Sequence, residues 1–176
     1  MDIVEYLLFV PLLIYGIALS DLFSQWKRFI EPSFWYLPYQ ITLVLVTEVG
    51  VYNVFEFFKL ASHFSSISYF VYWLYLLPPL LFLLMVNFLT HSEDFLDMAS
   101  FFSSRRKPVF LLLATFIGVH FIPQFHFNLR GWPVQVLAIL FSFTYAFWPK
   151  KAIFYVLVAV WFLSIVVRAY LISANT

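Results

Sequence analysis

Cysteine is absent from the 176 residues. Disulfides, thiolate metal sites and CxxC redox chemistry are therefore excluded, and the compartment is left open. Charge is nearly as scarce. Ten Lys and Arg against nine Asp and Glu leave a net charge of +1, with 11% of residues charged, where a soluble domain carries about 25%. Without a basic patch, no nucleic-acid partner is expected. Glycine is limited to Gly16, Gly50, Gly118 and Gly131, too scattered for a phosphate-cradling loop. The chain has no GxSxG elbow, and His63, His91, His120 and His126 make neither HExxH nor HxxxH spacing. The sequence thus offers no serine nucleophile, helical zinc site or bis-histidine haem. No catalytic residue, metal or cofactor is expected, and the chain reads as non-enzymatic. A weaker alternative is a lipid-modifying enzyme using Glu48 and His120.

What fills the chain instead is apolar. Hydrophobic residues make up 64% and aromatics 23%, with a mean hydropathy of +0.92. No polar stretch is long enough for a separate soluble domain, so residues 1–176 read as one all-α integral membrane bundle. A spanning helix needs about 20 predominantly apolar residues. Six segments approach that length, at about 3–23, 35–57, 69–90, 109–122, 134–148 and 152–172. The fourth stops at Pro123, and together with the fifth it can also be read as one re-entrant pair. Ala18-Leu19-Ser20 has the small residues of a cleavage site. No Lys or Arg precedes it, so residues 3–24 read as a retained first helix.

Basic residues set the orientation. Lys27, Arg28, Arg105, Arg106, Lys107, Lys150 and Lys151 fall in the odd-numbered loops, against Lys59, Arg130 and Arg168 elsewhere. The positive-inside bias puts the odd loops in the cytoplasm and both termini outside. Trp26, Trp35, Trp73, Trp132 and Trp148 lie near segment ends, as an interfacial aromatic belt does. Pro78-Pro79 removes two backbone donors from the third segment; a kink is expected there, with neighbours meeting the released carbonyls.

Loop three, residues 91–107, reads as a short cytoplasmic interfacial helix. Ser92 caps it, Phe95, Met98 and Phe102 make one apolar face, and Arg105-Arg106-Lys107 end it. A sharper reading makes Phe95, Met98, Phe102, Arg105 and Arg106 a docking site for a protein partner. Residues 20–30 are expected to prolong the first helix, with Leu22, Trp26 and Phe29 on one side.

Glu48 is the residue least suited to its surroundings, near the middle of the second segment. A carboxylate at that depth costs at least ~2.5–3.5 kcal/mol and normally faces protein, is paired or is protonated. In the functional reading it joins Tyr52, Asn53, Glu56, His120 and Arg168 in a polar cluster that takes a small solute, ion or proton. In the bland reading it is hydrogen-bonded between helices, while Glu56 and Arg168 snorkel to the headgroups. The alternative function is a membrane assembly or scaffold subunit, associating with itself or with a membrane or cytoplasmic protein.

One resemblance rests on an order of features. Tyr15-Gly16-Ile17-Ala18 and Trp26-Lys27-Arg28-Phe29 end the first helix, and a Leu-Pro-Pro-Leu-Leu-Phe-Leu third helix follows. Glu93-Asp94-Phe95 and Phe101-Phe102-Ser103-Ser104-Arg105-Arg106-Lys107 then lead into the fourth. Over about residues 1–115 the chain resembles a family of small uncharacterised bacterial polytopic membrane proteins. That resemblance implies a topology and a bacterial cytoplasmic membrane, and no activity. Substrate-binding subunits of energy-coupling-factor vitamin transporters are similar in size and helix count, but the first helix lacks their small-xxx-small alanine motif.

Overall fold

The computed structural model describes residues 3–31, 35–59, 68–90, 97–122 and 132–173, and side chains within 7–31, 35–58, 68–90, 97–122 and 132–167. Among the described residues every regular element is helical: α1 Ile3–Gln25, a 3-10 turn Trp26–Phe29, α2 Leu37–Lys59, α3 Tyr69–Leu89, α4 Met98–Val119, α5 Trp132–Phe147 and α6 Lys151–Ser173. Long apolar runs adopt this form because an α-helix satisfies its own backbone groups where no water can. Leu7–Phe29, Leu37–Phe58 and Tyr69–Leu89 are long and apolar enough to cross a membrane. Trp132–Phe147 and Lys151–Val167 are apolar but shorter, and α4 opens with the polar stretch Ser103-Ser104-Arg105-Arg106-Lys107. The structure therefore supports three spans on length and composition, where six were expected.

The chain divides into two compact units, Met1–Arg105 and Arg106–Thr176. In the first, α1 packs on both α3 and α2. Its buried stripe is Leu8, Pro11, Tyr15, Ala18 and Leu22, and Tyr15 meets Phe82 of α3 with ring centroids 5.4 Å apart. The prolines sit inside helices that run on through them. Pro11 takes away the N–H that would bond to the carbonyl of Leu7. Tyr72 of α3 donates its hydroxyl to that oxygen at 3.1 Å, so a neighbouring helix satisfies the released acceptor, as was expected in principle for Pro78 and Pro79. Those two are buried within an uninterrupted α3.

The separate interfacial helix does not form as expected. Residues 98–107 are instead the opening turns of α4, which continues through Pro108. Pro108 lacks the N–H that would reach the carbonyl of Ser104, an exposed residue, and the helix runs on through it. The cap is Asp97. Its carboxylate accepts from the backbone N–H groups of Ala99 and Ser100 at 3.1 Å each, and from the Ser100 hydroxyl at 2.6 Å. Ser92, expected in that role, lies outside the described residues. Residues 26–29 prolong α1 as the 3-10 turn, in which Trp26 and Phe29 share one side with ring centroids 5.7 Å apart, while Leu22 is buried.

The second unit is built on the α5–α6 hairpin, joined by Trp148-Pro149-Lys150. Ala138, Ser142, Tyr145 and Ala146 form the buried face of α5. Tyr145 packs against Phe110 of α4 and Phe154 of α6, at 4.8 and 5.3 Å between ring centroids. After Val119 the chain tightens, with His120, Phe121 and Ile122 donating to the carbonyls three residues back.

Candidate functional site

Glu48 is the twelfth of the 22 residues of Leu37–Phe58, so it sits at mid-span. The direction it takes follows from its helix neighbours. Leu37, Val44, Val51, Phe55 and Phe58 are exposed, while Ile41 and Glu48 are half-buried. These seven residues recur at alternating spacings of four and three along one stripe of α2. The packed side of α2 is formed by Tyr39, Leu43, Val46, Gly50 and Phe57. Glu48 thus belongs to the outward stripe of α2, with an apolar residue one turn away on either side.

Tyr52 and Glu56 follow at four-residue steps and are half-buried. Asn53 is about 140° round the helix from Glu48, and its amide donates to the Val49 carbonyl of its own helix at 2.8 Å. Glu48, Tyr52, Asn53 and Glu56 belong to the first unit and His120 to the second. The Nδ1–H of His120 donates to the Phe116 carbonyl at 2.7 Å, and its ring lies edge-on to Phe116. The Arg168 side chain lies outside the described residues. Among the described residues no group of three His, Cys, Asp or Glu is placed to hold a metal.

Two of the residues expected to dock a partner, Met98 and Phe102, are packed within the chain. Met98 and Phe102 are each 2% exposed. Phe102 packs on Tyr36 and Tyr39, and the Met98 sulfur accepts from Arg28 at 3.8 Å. Arg105 lies over the Phe88 ring and Arg106 over that of Tyr145, at 5.8 and 5.7 Å. Phe95 is outside the described residues. Met98 and Phe102 are therefore internal packing, covered by the 3-10 turn and by Tyr36 and Tyr39.

A polar cluster the sequence reading missed lies at the basic end of the first unit. Gln25, Arg28, Thr42 and Thr47 are buried. Trp26 donates its indole N–H to Thr47 at 3.4 Å, and Thr47 donates in turn to the Leu43 carbonyl at 2.8 Å. Tyr39 is 1% exposed, and its hydroxyl has no hydrogen-bond partner among the described residues. A signal for this cluster was present. Gln25 continues the Tyr15, Ala18, Leu22 stripe by three residues, and Arg28 continues it by three more.

No protein-family model matches the chain, and no curated protein and no solved structure matches it significantly.

Proposed function

We propose that this chain is a multi-pass membrane protein, not an enzyme, that acts as an assembly or scaffold subunit within the bilayer. One observation carries the reading: α2 bears a stripe of exposed large apolar residues, Leu37, Val44, Val51, Phe55 and Phe58, with half-buried Glu48 along it at mid-span. Glu48 interacts within its own chain, and a second membrane-embedded chain packed along that stripe would screen its carboxyl further from hydrocarbon. The proposed topology has six spans with both termini outside and the Lys27-Arg28, Arg105–Lys107 and Lys150-Lys151 turns in the cytoplasm of a bacterial cell. In mild detergent the protein is expected to migrate as one defined complex, and Glu48→Leu is expected to shift it toward the single-chain mass. A wild type that stays single-chain in both detergent and native membranes overturns the proposal.

The unmatched Tyr39 hydroxyl beside buried Arg28 favours a second reading, in which the chain handles a small solute or ion. A guanidinium and a phenol together suit an anionic ligand with several acceptors. Under this reading, Tyr39→Phe weakens binding of inorganic phosphate to the purified protein. Without a ligand, the same substitution removes a buried hydroxyl with no partner and leaves stability unchanged or slightly raised.

A further inference from the structure

We infer that one end of the second unit, where Lys107 of α4 meets the turn between α5 and α6, holds the phosphate of an anionic phospholipid. Charge divides sharply between the two units. All nine Asp and Glu lie between Asp2 and Asp97, so Arg106–Thr176 carries Arg106, Lys107, Arg130, Lys150, Lys151 and Arg168 with no side-chain carboxylate. The first unit differs, since its Lys27 and Arg28 stand between Asp21 and Glu31 in the sequence. Cations of the second unit have no such neighbours, and any counter-charge for them comes from outside the unit.

The fold gathers Lys107, Lys150 and Lys151 at one place. Lys107 is exposed, and its ammonium lies 4.8 Å from the centroid of the Phe147 ring. Phe147 ends α5, and Lys150 and Lys151, both exposed, follow in the turn and at the first position of α6. Segments far apart in the chain thus bring their ammonium groups to the same end of the α5–α6 hairpin. No acidic residue stands in the first turn of α6, where the helix dipole is already positive. Lysines are repelled at that end of a helix, and an anion held at the turn relieves the repulsion.

The surroundings of the lysines mark the anion as a lipid's. Phe143, Phe147 and Trp148 are exposed next to the turn. Phe147 packs on Phe143 and on Trp148, at 5.0 and 6.4 Å between ring centroids. Exposed aromatics at a helix end sit at the boundary of hydrocarbon and headgroup, which puts the ammonium groups at phosphate level. A soluble anion meets the lysines and leaves those rings uncovered; a phospholipid meets both, with its headgroup and its acyl chains. Basic residues set between membrane helices at this depth favour anionic headgroups.

The absence of cysteine makes the test direct. Ala152→Cys, exposed beside Lys151, carries a fluorophore at the site. The labelled protein goes into vesicles of phosphatidylcholine mixed with phosphatidylglycerol, with one lipid or the other brominated in its acyl chains as quencher. Phosphatidylglycerol is expected to occupy the site about five- to tenfold more readily than phosphatidylcholine. Changing Lys107, Lys150 and Lys151 together to Gln should bring that ratio near one, while changing them together to Arg retains it. All three are exposed, so the Gln variant is expected to keep the wild-type unfolding midpoint in phosphatidylcholine alone. Lys107→Gln by itself should lower the ratio, and Lys27→Gln, an equal loss of charge in the first unit, should leave it unchanged. A wild-type ratio near one, or a ratio that survives the triple Gln change, overturns the proposal. So does an equal fall with Lys27→Gln and Lys107→Gln, which is the response of surface charge without a site. Relief of quenching by millimolar inorganic phosphate assigns the lysines to a soluble anion and overturns the lipid.

Discussion

Single residues decide how closely the first unit can pack. Gly50 is the clearest instance, because a Cβ built there would overlap the Phe82 ring and lie 2.8 Å from Leu19 Cδ2. Phe82 is fully buried, so its ring or the helix that carries it must shift to admit a methyl group. Gly50→Ala is expected to cost about 1–3 kcal/mol and to lower the thermal unfolding midpoint in detergent. Gly16 has nothing within 4 Å of its Cβ position, so Gly16→Ala should leave that midpoint unchanged or raise it. Glu48 shows the limit of reading residues alone. Its type and depth were legible in the sequence. Its direction was not, because lipid-facing and core-facing positions of α2 are filled by the same apolar residue types. Only the packing of α1 and α3 against one side of α2 turned the Glu48 stripe outward.

Elements were more legible than the residues within them. Expected spans and observed helices agree to within two residues at each end for the first three and for the last two, because long apolar runs in such chains have no other backbone solution. α4 is the exception. Pro108 and the cluster of basic residues before it suggested a break. Burial of Met98, Phe101 and Phe102 against α2 and the 3-10 turn makes one helix of both stretches. Asp97 starts that helix. The Ser100 hydroxyl, followed by the backbone N–H groups of Ala99 and Ser100, holds the Asp97 carboxyl below its ordinary value of 3.8. Such a group stabilises α4 above the ordinary aspartate range, and the contribution disappears as pH falls through the lower folded value. Asp97→Ala should speed amide hydrogen exchange at Ala99 and Ser100 near neutral pH. The difference between variant and wild type should vanish in strong acid, and Asp97→Asn should fall between the two.

For the molecule as a whole, the proposed topology makes a sidedness prediction. A thiol at Ser68→Cys, at the start of α3, should react with an impermeant reagent in intact cells. A thiol at Ser103→Cys or Lys150→Cys should react only after the membrane is opened. Labelling of Lys150→Cys from outside would contradict the six-span orientation and favour a topology in which the α5–α6 hairpin is placed otherwise. Exposed Trp26, Trp35, Trp73, Trp132 and Trp148 stand at or near helix ends, where an amphipathic ring bridges hydrocarbon and headgroup. Five tryptophans in such positions agree with the membrane setting that composition implied.

Composition and run length by themselves determined that the chain is helical and suited to a membrane, because backbone polarity and apolar transfer depend on residue type and not on neighbours far along the chain. Tertiary structure decided which side of α2 is packed and left Glu48 half-buried at its edge, and that Arg28 and Tyr39 are both buried. It also decided that Met98, Phe101 and Phe102 in the opening turns of α4 are internal packing. Those outcomes depend on which helices meet. In a sequence that is apolar almost everywhere, hydrophobicity leaves that choice nearly degenerate, and close contacts such as Gly50 against Phe82 settle it.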